Sequence, residues 1–99
     1  MITSKQRAYL RKLATDLPAI MQVGKGGISE NLVKTCSDAL EARELIKLHI
    51  LDNSGGTPQE TAEELAEQLH ADLVAVTGKK AVFYRRSEKK PVIELPEKG

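Results

Sequence analysis

Ala19-Ile20-Met21-Gln22-Val23-Gly24-Lys25-Gly26-Gly27-Ile28-Ser29 changes character twice within a few residues. A short apolar run of strand type stops at a glycine-rich turn, and Ser29 then offers the side-chain oxygen of a helix N-cap. Ile28, just before that cap, is placed to staple against Val33 in the first turn. Beyond it Leu32, Val33, Cys36, Ala39 and Leu40 recur at helical intervals, which leaves Lys34, Ser37, Asp38 and Glu41 to solvent. From Leu45 to Leu51 the pattern switches to alternation, with Ile46, Leu48 and Ile50 on one face and Lys47 and His49 on the other. The centre of the chain therefore reads strand, glycine loop, helix, strand.

Upstream, residues 3–15 are good helix formers, with Tyr9, Leu10, Leu13 and Leu17 as an expected apolar stripe and Lys5, Arg7, Arg11 and Lys12 opposite it. Pro18 closes that helix. Downstream, Asp52 to Gly56 is a turn-rich loop, and Thr57-Pro58-Gln59-Glu60 combines a capping box with proline at the first helical position. The helix it starts buries Ala62, Leu65, Ala66 and Leu69. Leu73 to Thr77, a Gly78-Lys79-Lys80 turn and Ala81 to Arg85 make a hairpin, followed by a Pro-bounded charged tail over residues 87–99. The order of helix, strand, helix, strand, helix, strand, strand predicts an α/β two-layer sandwich with a mixed four-stranded sheet, as one domain over residues 1–99.

The 99 residues suffice for one hydrophobic core. No apolar stretch is long enough to span a bilayer, and no apolar region follows the charges of Lys5 and Arg7, so a cytoplasmic protein with no membrane partner is expected. Cys36 has no second cysteine to pair with and falls on an apolar helix face, which suits a buried, inert thiol. His49 and His70 have no further ligand at metal spacing, so no metal or cofactor is expected. Glu60, Glu63, Glu64 and Glu67 lie on a regular helix without a companion histidine, and no nucleophile motif accompanies the serines. Neither an enzyme nor a small-molecule substrate is expected.

The net charge of +1 conceals a polarised distribution. Residues 57–77 carry Glu60, Glu63, Glu64, Glu67 and Asp72 and no Lys or Arg; setting those five aside from the fourteen acids leaves nine against fifteen cations. A surface with one cationic and one acidic side follows. Only Tyr9, Phe83 and Tyr84 are aromatic, so a stacking platform for many bases is improbable and recognition must lean on backbone and charge.

Gly24-Lys25-Gly26-Gly27 has two readings. The glycines let a backbone approach a phosphate, the following helix brings its positive end, and Lys25 adds a full charge. Equally, glycines there can simply permit a tight turn at positive φ. A mononucleotide P-loop is excluded because no Ser or Thr follows the lysine as GxxxxGK[ST] demands. The remaining pattern is the GxxG spacing with which KH-type modules clamp a nucleic-acid backbone.

Lys5-Gln6-Arg7 with Leu10-Arg11, Val23-Gly24-Lys25-Gly26-Gly27 followed by Ser29-Glu30-Asn31, Ala39-Leu40-Glu41, Glu44-Leu45-Ile46-Lys47, Gly78-Lys79, Tyr84-Arg85 and Ile93-Glu94-Leu95-Pro96 occur in this order across nearly the whole chain. So spaced, they resemble the CRM-domain proteins of the YhbY-like type, small RNA-binding proteins linked to ribosome maturation. The resemblance implies a fold similar to the C-terminal domain of translation initiation factor three with an added N-terminal helix. It also implies RNA contact through Gly24, Lys25, Gly26 and Gly27, and association with precursors of the large ribosomal subunit. The chain departs from the pattern at Arg43, where members often carry His; the positive charge is kept.

The expected function is non-catalytic binding of structured ribosomal RNA in pre-large-subunit particles, with ribosomal proteins as further partners. The candidate RNA contacts are Gly24, Lys25, Gly26 and Gly27, then Lys5, Arg7, Arg11, Lys34, Lys47, Lys79, Lys80, Arg85 and Arg86. The alternative is a protein adaptor that docks through the acidic third helix.

Overall fold

The computed structural model describes residues 2–24, 26–51, 57–89 and 91–95; the expected loop at 52–56 and the end of the tail lie outside them. Helix α1 (Ser4–Ala14) begins at a reciprocal capping box, in which Gln6 N–H donates to Thr3 Oγ1 at 3.1 Å and Thr3 N–H donates to Gln6 Oε1 at 3.0 Å. Strand β1 (Met21–Val23), helix α2 (Glu30–Arg43), strand β2 (Leu45–Ile50), helix α3 (Pro58–Leu69) and strands β3 (Asp72–Thr77) and β4 (Lys80–Tyr84) follow in the expected order. Ser29 caps α2 by accepting from Leu32 N–H, and Thr57 with Glu60 forms the capping box of α3, with Pro58 in its first turn. Gly78, at φ 60°, takes the first place of the two-residue turn between β3 and β4, where the left-handed region is required.

The sheet order is β1-β2-β4-β3, with β1 parallel to β2 and the other neighbours antiparallel. Parallel neighbours cannot be joined by a tight turn, and α2 is the crossover between them. Pairing sorts the side chains by face: Val23, Ile46, Leu48, Ile50, Ala81 and Phe83 join Cys36, Leu40, Leu65 and Leu69 in a core beneath α2 and α3. The alternate positions Leu45, Val82 and Tyr84 join Leu10, Ala14 and Val74 in a second core beneath α1. Thus α2, α3 and the mixed four-stranded sheet form the expected sandwich, and α1 covers part of the sheet's other face.

The apolar stripe expected on α1 is displaced. The buried row is Gln6, Leu10 and Ala14, spaced by four, whereas Tyr9 and Leu13 are 38 % and 39 % exposed. Residues four apart stack on one side of a helix, so the Gln6, Leu10 and Ala14 row meets the sheet and Leu13 is left at its margin.

Two cations expected to face a ligand instead anchor the interior. A register shift between Leu73 and Ala75 interrupts the β3 ladder. Arg7 Nη1 donates to the carbonyls of Leu73 and Val74 there, at 2.6 and 3.4 Å. Arg85 donates through Nη1 to Leu69 O at 2.9 Å and through Nη2 to Ser37 O and Oγ at 2.9 and 3.0 Å, tying the end of α3 to α2. Arg85→Ala strips three acceptors of a charged donor and is expected to lower unfolding free energy by about 2 kcal/mol. Urea denaturation measures it; an unchanged midpoint would show that water replaces the guanidinium at no cost.

The tail is more ordered than its composition suggests. Glu44 is fully buried at φ 65°, and its carboxylate accepts from Ser87 N–H at 2.7 Å and from Val92 and Ile93 N–H at 2.6 Å each. Glu41 accepts from Ser87 Oγ and from Glu88 and Lys89 N–H. These bonds draw the chain back across the end of α2, and Ile93 and Leu95 pack into the core beneath α1. The Ser87 hydroxyl, the Lys89 and Glu88 amides and Arg85 hold the Glu41 carboxyl below its ordinary value against modest desolvation. Burial would push Glu44 up, but the amides of Ile93, Ser87 and Val92, with Arg86 beside them, outweigh it and keep that carboxyl low.

Candidate nucleic-acid interface

α1 crosses only part of its sheet face, and beside it lies an open cleft of about 630 Å³. One wall is the C-terminal half of α1, carrying Arg11, Lys12 and Thr15; the floor is the sheet, carrying Lys47, Thr77 and Lys80. Alternation puts Lys47 and Lys80 here, because Lys47 pairs with Val82 and Lys80 with His49 on the face opposite the main core. Four cations converge on the cleft, and among the described residues no carboxylate lines it. α3, with Glu60, Glu63, Glu64 and Glu67, packs on the other face of the sheet, so the acidic and cationic surfaces point in opposite directions. Desolvating like charges is costly without a partner, which makes such a cleft receptive to an anion.

The glycine loop sits at the edge of the same end of the sheet. Leu51 N–H donates to Val23 O at 3.0 Å on one side of β2, and Ile50 N–H donates to Lys79 O at 2.6 Å on the other. The start of the loop and the β3–β4 turn are thus separated by two strand spacings, roughly 10 Å. Gly27 N–H closes a turn onto Gly24 O at 2.9 Å, and Gly27 at φ 67° needs the left-handed region. Gly24 and Gly26 do not: neither has a left-handed φ, and a Cβ at either would meet nothing within 4 Å. Turn geometry therefore explains one glycine of the three described, and the other two leave backbone open on the surface, with Gly26 exposed.

The sequence-derived candidates divide accordingly. Arg11, Lys47 and Lys80 meet in the cleft, joined by Lys12, a cation that spacing alone did not rank. Gly24, Gly26 and Gly27 follow β1 and Lys79 lies in the β3–β4 turn, at the same end of the sheet, and none of them lines the cleft. Lys25 lies outside the described residues. Lys5 is exposed in the first turn of α1 and Lys34 in the first half of α2, both away from the cleft lining. Arg86 is exposed beside Tyr84 and Val92 near the Glu44 carboxylate. Arg7 and Arg85 are committed to backbone carbonyls, and the reason is tertiary: carbonyls at the β3 register shift and at the end of α3 each accept from a guanidinium.

Other reactive groups lie elsewhere. Cys36 is buried with its Sγ 3.6 Å from the sulfur of Met21, and burial pushes the thiol up to about 11, as suits an inert core residue. Burial, with the charge of Glu44 beside it, also raises Tyr84. Among the described residues no group of His, Cys, Asp or Glu has the arrangement of a metal site, and no helix is long and apolar enough to cross a membrane.

Known proteins are similar to this chain in sequence, and a solved structure is similar to it in fold. The chain is 43% identical over 96 residues to the probable RNA-binding protein YqeI of Bacillus subtilis, covering 97% of this chain and all of that one. It is 30% identical over 97 residues to a protein of Haemophilus influenzae named as an RNA-binding protein, covering 98% of this chain and 97% of its relative. The solution structure of the Staphylococcus aureus hypothetical protein SAV1595 superposes with a TM-score of 0.78 at 46% identity, across 97% of this chain and the whole of that one. The model of the CRS1 / YhbY (CRM) domain matches residues 2–85, from the start of the α1 cap to the end of the hairpin. The chain belongs to the CRS1/YhbY (CRM) domain family.

Proposed function

We propose that this protein binds structured RNA without catalysing a reaction, and that its target is ribosomal RNA in precursors of the large subunit. The observation that carries the reading is the convergence of Arg11, Lys12, Lys47 and Lys80 in one cleft that no described carboxylate lines, with an open glycine loop at the same end of the sheet. The names of the relatives support RNA as the ligand, and the resemblance to the YhbY-like type supports the ribosomal target. Lys25, Gly24, Gly26 and Gly27 clamp one stretch of phosphates while the cleft holds the next. The work done is positioning: fixed cations and amides neutralise phosphates that would otherwise repel one another as RNA helices pack. The acidic face of α3 points away from the RNA, where it can meet a basic ribosomal protein. The protein acts in the cytoplasm, where such particles form.

Crosslinking in cells followed by sequencing of the attached RNA tests the target. Precursor ribosomal RNA should be enriched well above the level captured by an unrelated basic protein of similar size; equal enrichment rejects the reading. The loop has its own test. Gly26→Asp has room for its side chain, so its melting temperature should stay at the wild-type value while the carboxylate repels phosphate. Combined with Lys25→Ala it should flatten the log–log salt dependence of binding to a structured ribosomal RNA fragment by roughly 0.7 to 0.9 per lost contact. Unchanged affinity in the double variant removes the loop from the interface.

A further inference from the structure

On the other flank of α1 lies a second groove, of about 360 Å³, that the phosphate contacts leave unused. Its walls are apolar, with Leu13, Leu17, Ile20 and Ile93 prominent, and its rim carries Arg43 and Lys47. Lys47 also lines the cationic cleft, so the two depressions meet at one ammonium group. The groove has a fixed floor, because Ile20 N–H donates to Lys47 O at 2.9 Å and locks the segment after Pro18 onto β2. Its volume lies at the small end of sites that enclose organic ligands, roughly 300 to 1,000 Å³. Leu13, the residue displaced from the α1 core, stands at its mouth 39 % exposed.

Building on the RNA reading above, we infer that this groove receives a single unstacked nucleobase from the strand whose phosphates occupy the cleft. A base turned out of its helix exposes two apolar faces and needs a place to bury them; its own phosphate stays within reach of Lys47. The rim decides which base. Every side chain lining the groove is aliphatic except Arg43 and Lys47, and those two offer hydrogen-bond donors and no acceptor. Along the edge that faces the major groove of a duplex, uracil, with O4, and guanine, with O6 and N7, present only acceptors to such a rim. On the same edge cytosine and adenine present an exocyclic amine that finds no side-chain acceptor, whereas guanine carries its amine on the opposite edge. The groove therefore selects uridine or guanosine at a bulge or loop, and the protein prefers RNA with an unpaired residue over a continuous duplex.

The test measures binding of the full chain to four hairpins, each with one bulged U, G, C or A, and to the same hairpin fully paired. The U and G bulges should bind at least about fivefold more tightly than the paired hairpin and about threefold more tightly than the C and A bulges. Leu13→Lys removes an apolar wall while adding a cation, at a position exposed enough to keep the fold. It should abolish the bulge preference while binding to the paired hairpin holds or rises. Arg43→Gln, which changes only the exposed rim, should bring the C and A bulges level with U and G. Equal affinity for all five RNAs in the wild type, with a steep salt dependence, overturns the base groove yet leaves the RNA reading intact, and assigns the groove to an apolar protein segment instead. A bulge preference that survives Leu13→Lys overturns the location. Binding to every RNA no better than that of an unrelated basic protein overturns both.

Discussion

Replacing Arg11, Lys47 and Lys80 together by glutamine is expected to lower affinity for a structured ribosomal RNA fragment by about a hundredfold at near-physiological salt. The same substitutions should flatten the log–log salt slope by roughly 2 to 3, since each phosphate contact contributes 0.7 to 0.9. The three come from α1, β2 and β4, and no two are neighbours in sequence, yet they line one cleft. None is buried in a core, so the triple variant should melt with the wild type. Reversing Glu63 and Glu67 to lysine on α3 provides the contrast. Those residues lie on the opposite face of the sheet, and the reversal should leave RNA binding undiminished or stronger. A triple variant with the wild-type slope would detach the cleft from phosphate binding; capture of a protein partner abolished by the reversal on α3 would favour the adaptor reading.

Glu44→Ala should be among the most destabilising single substitutions in the chain, costing about 3 kcal/mol. The loss leaves three amides, those of Ser87, Val92 and Ile93, without their acceptor, at roughly 1 kcal/mol or more each. For a domain of this size that corresponds to a drop in melting temperature of about 10 to 20 °C. The pH dependence carries the same signature. Glu44 has a folded-state pKa below the ordinary 4.5, so the folded protein holds its proton less tightly than the unfolded chain does. Its stabilisation is therefore fully present above about 4.5 and is lost as pH falls through the lower folded value. Glu41 works in the same direction. The difference in melting temperature between wild type and Glu44→Gln should be widest near neutrality and shrink on acidification toward pH 3. A difference that stays constant with pH would mean that the carboxylate charge has no part in holding the strap.

Much of this was readable in the residues alone. The alternation from Leu45 to Ile50 assigned Ile46, Leu48 and Ile50 to one face and Lys47 and His49 to the other, and pairing with β4 follows it. The capping signals at Ser29 and Thr57 started α2 and α3, because an N-cap is a local exchange between a side chain and an amide three residues on. Glutamates clustered on one helix already implied a polarised surface. The carbonyl-bound Arg7 and Arg85 were not readable, since a guanidinium shows nothing in sequence of the acceptor it will meet 66 or 16 residues away. Nor was Glu44, read as part of a motif and found to be the buried hub of a strap. Its left-handed φ at a helix end, where glycine is the usual occupant, is held by contacts more than forty residues distant.

Periodicity, caps and turns act over a few residues, and for that reason the amino-acid order by itself determined the elements, their succession and, for every element but α1, which side is apolar. Which cations would be left facing outward, and that they would meet in one cleft between α1 and the sheet, was decided only when strands far apart in sequence paired. Sheet registry and the placement of α1 are long-range choices, and they alone separate a lysine in the cleft from an arginine bound to the protein's own backbone.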